Sequence, residues 1–306
     1  MQGSNNIPLV SVVMATYNGE RFLEAQMESV VKQSYPAIEI IVVDDGSTDG
    51  TAAILQSYAS QHNNIRLYFS EGRNLGYIKN FERGCRLATG DYISFCDQDD
   101  VWHPDKTQIL MDAIGNNPMV YCDSELVDST LNSLHRKHSD HKKLQSLDNC
   151  LCFATDNCVG GHALIMKKEI FVYADPFPVE MPYDLWCAFA ATFYGTIQYV
   201  DQTLVKWRQH ENNITVSAKS KESRLAETRI RMKLFYEYCK PENGKEKQVL
   251  QKLMKSYQDY SPGNNFLRMS LFFRYSKYLL AMKKRNAFRK FLFCLKMFYT
   301  IRLHVA

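Results

Sequence analysis

Ile40-Ile41-Val42-Val43-Asp44-Asp45-Gly46-Ser47-Thr48-Asp49 and Tyr92-Ile93-Ser94-Phe95-Cys96-Asp97-Gln98-Asp99-Asp100 share one pattern, an apolar run that ends in crowded carboxylates. A short continuous apolar run bounded by turn formers reads as a buried strand. The carboxylates then stand at the carboxyl ends of strands, where open α/β sheets bind their ligands. Two carboxylates roughly 4 Å apart repel by about 4 kcal/mol at an effective dielectric of about 20, so such clusters usually hold a cation or a hydrogen-bonding ligand. A metal and a phosphorylated ligand are the first expectation.

Working outward, apolar runs alternate with helical periodicity through the first 120 residues, which predicts β-α-β units and a mainly parallel central sheet, a Rossmann-like α/β fold. Strands are expected near Val10–Ala15, Glu39–Val43, Ile65–Phe69, Tyr92–Cys96 and Met119–Cys122. Helices are expected at Arg21–Gln33, Thr51–Ser60, Lys79–Ala88 and Pro104–Ile114, with Pro104 as a first-turn proline. Gly46-Ser47-Thr48-Asp49-Gly50 brings cap formers to the second helix. Residues 123–160 are polar and without a strong period, so a long surface excursion is expected there. A core stretch Gly161–Lys167, a Pro-rich loop, a helix Leu185–Phe193 and a strand Thr196–Val200 follow. From about Ser217 the chain reads as helical, with breaks at Pro241–Gly244 and Ser261-Pro262-Gly263.

The 306 residues are 45% hydrophobic and 12% aromatic, enough for a sizeable core, which argues against general disorder. Nine cysteines, several in apolar stretches and none in a C-x-x-C pair, suit buried thiols in a reducing compartment. Met1 to Pro8 carries neither a basic stretch nor a long apolar run, so no signal peptide is expected and the cytoplasm is the expected location. The net charge of +4 is unevenly placed: ten Lys and Arg and no Asp or Glu lie from Ser261 onward, leaving 27 of the 37 basic residues against 33 acidic ones before it. The acidic balance of the larger part, and the lack of a reader motif, exclude nucleic acid as the expected partner.

Three ordered motifs carry a resemblance. Val10-Ser11-Val12-Val13-Met14-Ala15-Thr16-Tyr17-Asn18-Gly19, Val42-Val43-Asp44-Asp45-Gly46-Ser47-Thr48-Asp49, and Gly90-Asp91-Tyr92-Ile93 leading into Asp97-Gln98-Asp99-Asp100-Val101-Trp102-His103-Pro104 resemble glycosyltransferase family 2 over roughly residues 8–215. The resemblance implies a glycosyltransferase-A fold at 8–216 and inverting transfer of a hexosyl or deoxyhexosyl unit from a nucleotide-diphosphate donor, with the helical, basic stretch 217–306 read from the residues as a separate C-terminal region. A glycan or lipid-linked hydroxyl is the implied acceptor, in surface polysaccharide biosynthesis.

The same resemblance assigns residues. Thr16 and Tyr17 flank the base and Asp45 accepts from its edge, while Asp44 equally suits a strand-end cap. Asp97 lies nearer the ribose, and Asp99 is the implied ligand of Mg²⁺ or Mn²⁺, hard cations that prefer carboxylate oxygens. Lys79 is implied at the phosphates or nucleotide, a surface salt bridge being the plainer alternative for it and for Arg83. Asp184 matches the general base, although Tyr183 stands where many relatives carry an acid or histidine; a helix N-cap is its other role. His210, in Trp207-Arg208-Gln209-His210-Glu211-Asn212-Asn213, is implied at the metal or diphosphate, with Arg208 assisting. His135, His138 and His141 are not expected to bind metal, because Arg136, Lys137, Lys142 and Lys143 surround them.

The segment Phe266 to Ile301 mixes aromatics with cations but has no 18-residue apolar run, so contact with the inner face of a membrane is expected rather than a span, with packing as an ordinary helical appendage the alternative. Two rival functions stay open: a receiver-like phosphoacceptor domain, which shares the acid pair after a strand but starts on that strand, and a non-catalytic sugar-nucleotide-binding relative.

Overall fold

The computed structural model describes residues 7–70, 72, 74–211, 220–259 and 261–299. They fall into two compact units, one of residues 1–140 and 159–213, the other of 141–158 and 214–306. The first unit holds β1 (Val10–Thr16), α1 (Glu20–Val31), β2 (Ile38–Asp44), α2 (Thr51–Gln61), β3 (Ile65–Phe69), α3 (Tyr77–Leu87), β4 (Tyr92–Cys96), β5 (Val101–Trp102), α4 (Lys106–Ile114), β6 (Met119–Val127) and β7 (Ser133–Lys137). The short α5 (His138–His141), then β8 (Leu164–Lys167), α6 (Lys168–Ala174), α7 (Tyr183–Ala191) and β9 (Ile197–Arg208) follow.

One mixed sheet runs in the order β3-β2-β1-β4-β8-β6-β9-β5, with β7 on β6. The pairs β1–β2, β2–β3, β1–β4 and β6–β9 are parallel, as expected for strands joined by helical crossovers. β8 enters antiparallel between β4 and β6. The strand order turns back between β1 and β4, and register sets Thr16 opposite Asp44 and Met14 opposite Cys96. The carboxyl ends of β1, β2 and β4 therefore share one edge, and the loops bearing Asp45 and Asp97 both open there.

Packing follows from sequence on both faces. Leu23, Met27 and Val30 recur at helical spacing on α1 and bury against Val12, Met14, Ile40 and Val42, each such side chain contributing roughly 1.5–3 kcal/mol. On the other face Gly84 of α3 lets the helix lie close, since a Cβ there would collide with Val13 and press on Val43 at 3.1 Å. Any larger residue at 84 pushes α3 off the sheet.

Three expectations need correction. Residues 123–160 are not one surface excursion: Asp123 to Val127 continue β6, mostly buried, and Cys150–Ala154 form a buried 3-10 turn in the second unit. Asp123-Ser124-Glu125 is polar yet strand-forming because its groups find partners, Asp123 Oδ1 accepting N–H of Ser124 and Ser139, and Glu125 Oε1 the hydroxyl of Ser133. The last strand of the first unit runs to Arg208 rather than Val200, as β6 offers a partner along that length. Pro104 precedes helix α4 instead of opening it; its carbonyl accepts the Ser34 N–H at 3.0 Å, and Lys106 N–H turns back to His103 O.

The second unit gathers α8 (Lys221–Tyr238), α9 (Gly244–Ser256), α10 (Pro262–Arg274), α11 (Ser276–Leu279) and α12 (Ala287–Tyr299) with residues 141–158. Thr155 Oγ1 donates to Leu279 O at 2.6 Å, and Asp156 takes both Lys142 and Lys283. Met232, Phe235, Leu250, Leu253, Leu271 and Phe272 supply its core. All nine cysteines are free and buried.

Candidate active site

The edge described above begins with a rigid turn. Asp44 accepts from Thr16 Oγ1 (2.8 Å), Ser47 Oγ (2.5 Å), and the N–H groups of Gly46 (3.1 Å) and Ser47 (2.8 Å), so this buried carboxylate is spent on holding the β1 and β2 ends together. Asp45, also buried, receives Leu75 N–H on both oxygens (2.8 and 3.0 Å) and Gly76 N–H on Oδ2 (2.8 Å). A carboxylate offers about four lone-pair sites, so two amide donors orient Asp45 and leave capacity for a further N–H. Tyr17 is exposed, while its N–H and C=O are clasped by the Gln98 amide at 2.9 and 3.1 Å. This clasp ties the loop after β4 to the end of β1.

Lys79 is anchored within the fold. Its Nζ donates to Glu82 Oε2 and Phe177 O, both at 2.7 Å, because the nearly buried Glu82 carboxylate requires cationic partners, Arg86 being the other. Arg83 likewise donates to Phe69 O at 3.1 Å.

Beyond β4 the acids gather with two histidines. His210 Nε2 lies 2.8 Å from Asp99 Oδ2. His162 Nδ1 faces Asp97 Oδ2 at 3.9 Å and Asp100 Oδ2 at 4.0 Å, and one ligand atom from each of these three residues lies within 4.8 Å of the others. The ring of His162 stacks on Trp207 with centroids 5.1 Å apart, and its Nε2 sits 2.8 Å from Ser124 Oγ. Burial, helped by the charges of His138 and Lys106, pushes His162 down to about 3, so it is a neutral imidazole. In the tautomer that donates Nε2–H to Ser124, Nδ1 turns a lone pair toward two carboxyl groups.

Arg208 braces this cluster. Its N–H binds Asp100 Oδ1 (2.9 Å), Nε binds Asp99 O (2.6 Å), Nη1 binds Ser129 O (2.6 Å), and the guanidinium covers the Phe22 ring at 4.5 Å. Among the described residues, the buried Asp100 Oδ2 has no hydrogen-bond partner. Asp97 is pushed up to about 7 by its low-dielectric surroundings and then by Asp99 and Asp184, even though 37% of its side chain reaches solvent. Asp100 is also raised, by burial and then by Asp99 and Asp97. An orphaned carboxylate oxygen, an imidazole lone pair and raised acids form a donor set that fits a hard divalent cation.

Asp184 approaches from α7. It stands in the first turn of that helix, half-buried, with Oδ1 accepting Leu185 N–H at 2.6 Å; the cap position itself is Pro182. Its charge is felt by Asp97 and by Tyr77, whose hydroxyl is pushed up to about 12 by burial and then by Asp184 and Asp97. Tyr183 Oη donates to Asp97 Oδ1 at 3.4 Å, and a Cβ at Gly161 would strike that hydroxyl.

The structure thus brings together Asp97, Asp99, Asp184 and His210 of the expected set, and Thr16, Tyr17 and Asp45 at the neighbouring strand ends. His162, Asp100, Gln98 and Tyr183 join them unforeseen as site residues. The glycines before His162 were the available signal, since a Gly-Gly-His run marks backbone brought close to a side-chain cluster. Asn212 and Asn213 lie outside the described residues.

Comparison with known proteins adds the lineage. The sequence model described as Glycosyl transferase family 2 matches residues 11–172. An uncharacterized glycosyltransferase of Rickettsia typhi is 30% identical over 227 residues, covering 71% of this chain and 69% of the relative. One of Haemophilus influenzae is 26% identical over 220 residues, with 68% and 67% covered. Among solved structures, S. aureus TarS in complex with UDP-GlcNAc matches at a TM-score of 0.62 with 18% identity, over 86% of this chain and 80% of that one. The mannosyltransferase PcManGT from Pyrobaculum calidifontis, in complex with GDP-Man and Mn²⁺, matches at 0.51 with 16% identity, over 99% and 77%. These structural likenesses establish the glycosyltransferase-A fold, and the family match spans more than half of the sequence. On that basis the chain belongs to glycosyl transferase family 2.

Proposed function

We propose that the chain is an inverting, divalent-metal-dependent glycosyltransferase that moves a hexosyl or deoxyhexosyl unit from a nucleotide-diphosphate sugar to a hydroxyl of a glycan or lipid-linked acceptor, in surface polysaccharide biosynthesis. One observation carries it: Asp97, Asp100 and His162 meet beside the Asp99–His210 pair, with Asp184 on a helix whose charge reaches Asp97. Asp99 and His210 are the residues to hold Mg²⁺ or Mn²⁺, with Asp100 and His162 adjoining. When bound, such a cation supplies Lewis-acid charge for the departing diphosphate.

The chain's own groups do the rest. Thr16 and Tyr17 border the base, and Asp45, oriented by two amides, accepts its ring N–H. Asp97 sits toward the ribose with Tyr183 on its other side. Asp184 takes the proton of the acceptor's hydroxyl as the acceptor's oxygen bonds to the anomeric carbon, while the bond from that carbon to the diphosphate oxygen breaks on the opposite face. A single displacement inverts the centre. Lys79, held at the start of α3 by Glu82 and Phe177 O, is the cation assigned to the nucleotide. The acceptor chemistry fits work at the cytoplasmic face of a membrane, to which the chain attaches peripherally.

The test is a screen of nucleotide sugars for thermal stabilisation with Mn²⁺ or Mg²⁺ present, followed by product analysis with the stabilising donor. At 100-fold excess over Kd a true donor stabilises by about 2.7 kcal/mol. Stabilisation by no nucleotide sugar, with either cation, rejects the reading.

A further inference from the structure

Helix α12 carries Phe288, Phe291, Leu292 and Tyr299 on one face, exposed by 67%, 50%, 45% and 61%, while Cys294 is buried on the other. Positions 288, 291, 292 and 299 share a helical stripe. On α10, Phe273 lies edge-on to Phe291 with centroids 5.4 Å apart, and Phe266, two turns earlier on the same side, is again exposed. Isolated exposed aromatics are ordinary; a contiguous stripe across two packed helices is an interaction surface.

The charge around this stripe selects its occupant. Lys284, Arg285, Arg289 and Lys296, next to it along the chain, are exposed, as are Arg274 and Lys277, and the sequence from Ser261 onward has no Asp or Glu; Arg268 is buried and Lys283 is tied to Asp156. A second copy laid on this stripe would set these exposed cations against one another. An anionic surface complements it. Among the described residues no helix is long and apolar enough to cross a bilayer, and α12 has 13 residues, so the geometry is that of a helix lying flat with its apolar face sunk into the interface.

We infer that the face formed by Phe288, Phe291, Leu292 and Tyr299 of α12, with Phe266 and Phe273 of α10, docks on a bilayer leaflet rich in anionic lipid. This rests on the peripheral attachment proposed above and gives it a surface. Each Lys or Arg close to such a leaflet contributes about 1 kcal/mol, screened by salt, and the aromatics add apolar burial that salt does not remove.

The full chain is sedimented with vesicles of phosphatidylcholine alone or mixed with phosphatidylglycerol. Binding should be at least about tenfold tighter to the mixed vesicles and fall with added salt. The triple variant Phe288→Ser, Phe291→Ser, Leu292→Ser should lose about tenfold or more of it, with wild-type melting. A double variant Lys284→Gln, Arg289→Gln, which disturbs no buried contact, should weaken binding and flatten the salt dependence. Equal binding to both vesicle types, or triple-variant binding at the wild-type level, overturns the inference. So does a salt-insensitive dimer that the triple substitution returns to monomer, since the face then belongs to a second copy. Calorimetry of nucleotide sugars with Mn²⁺ on the same samples reads the transferase proposal separately.

Discussion

His210 Nε2 and Asp99 Oδ2 stand 2.8 Å apart although 111 residues separate them in sequence. The contact forms because β9 returns beside β6 and its end, Arg208, is hydrogen-bonded to Asp99 O and Asp100 Oδ1. The Phe22 ring, 4.8 Å from that of His210, backs the imidazole. Two groups that hold each other in this way are preorganised for a shared cation. Asp99→Ala should therefore abolish metal-dependent donor binding, and His210→Ala should weaken it by roughly 10–100-fold, read by calorimetry with and without Mn²⁺. Unchanged affinity in Asp99→Ala removes Asp99 from the metal site.

Proton release should accompany metal binding. Asp97 sits at about 7 and Asp100 is raised, so near neutrality the metal-free protein keeps protons on this cluster. A cation has to displace them, so Mn²⁺ affinity should rise between about pH 6 and 8, approaching tenfold per pH unit for each proton released. His162, pushed down to about 3, adds no proton in that window. Because the folded pKa values exceed the unfolded ones, these two acids cost the metal-free protein stability as pH rises from about 4 to 7. Calorimetry in buffers of different ionisation enthalpy counts the protons; a pH-independent affinity contradicts the assignment.

Asp184→Asn should keep donor binding within a few-fold and lower kcat by roughly 10²–10⁴, the usual reach of a positioned general base. Tyr183→Phe is the matched control: it removes only the 3.4 Å contact to Asp97, and should cost less than about tenfold. Single-turnover kinetics with saturating donor separate the two. Normal turnover by Asp184→Asn moves the base elsewhere.

Uninterrupted apolar runs made most of the sheet readable. β3 and β4 fall where the sequence places them, and the acid clusters stand at or just past the carboxyl ends of β2 and β4, where open α/β sheets carry their ligand loops. Asp123-Ser124-Glu125 was illegible because its burial depends on partners at Ser133, Ser139 and His162, none of them local. His162 was hidden for the same reason: a lone histidine becomes a candidate ligand only once β8, β4 and β9 bring Asp97, Asp100 and Trp207 to it. Lys79 was legible only in part: its spacing from Arg83 suits phosphate, and the structure adds Glu82, three residues away, as an ion-pair partner.

Lys106 offers a test of what lies beneath the acids. It is fully buried at the start of α4, its Nζ has no hydrogen-bond partner among the described residues, and it rests 3.1 Å from the centroid of the Trp102 ring. Burial pushes this ammonium down to about 8, against the raising influence of Cys122, Cys96, Asp100 and Asp97. A desolvated cation–π contact is worth about 2 kcal/mol, less than the several kcal/mol that taking an ammonium out of water costs. Lys106→Met keeps the chain length over Trp102 and removes the charge, so it should stabilise the metal-free protein at pH 7 by roughly 1–3 kcal/mol in urea melts. The folded pKa lies below the unfolded one, near 10.4, so the unfolded chain binds more protons between about pH 8 and 10 and the wild type gains stability as pH rises through that range. The advantage of the variant should accordingly shrink toward pH 10. If Lys106→Met is instead destabilised at pH 7, and the loss is recovered on adding Mn²⁺, the ammonium is acting as the counter-charge of Asp97 and Asp100.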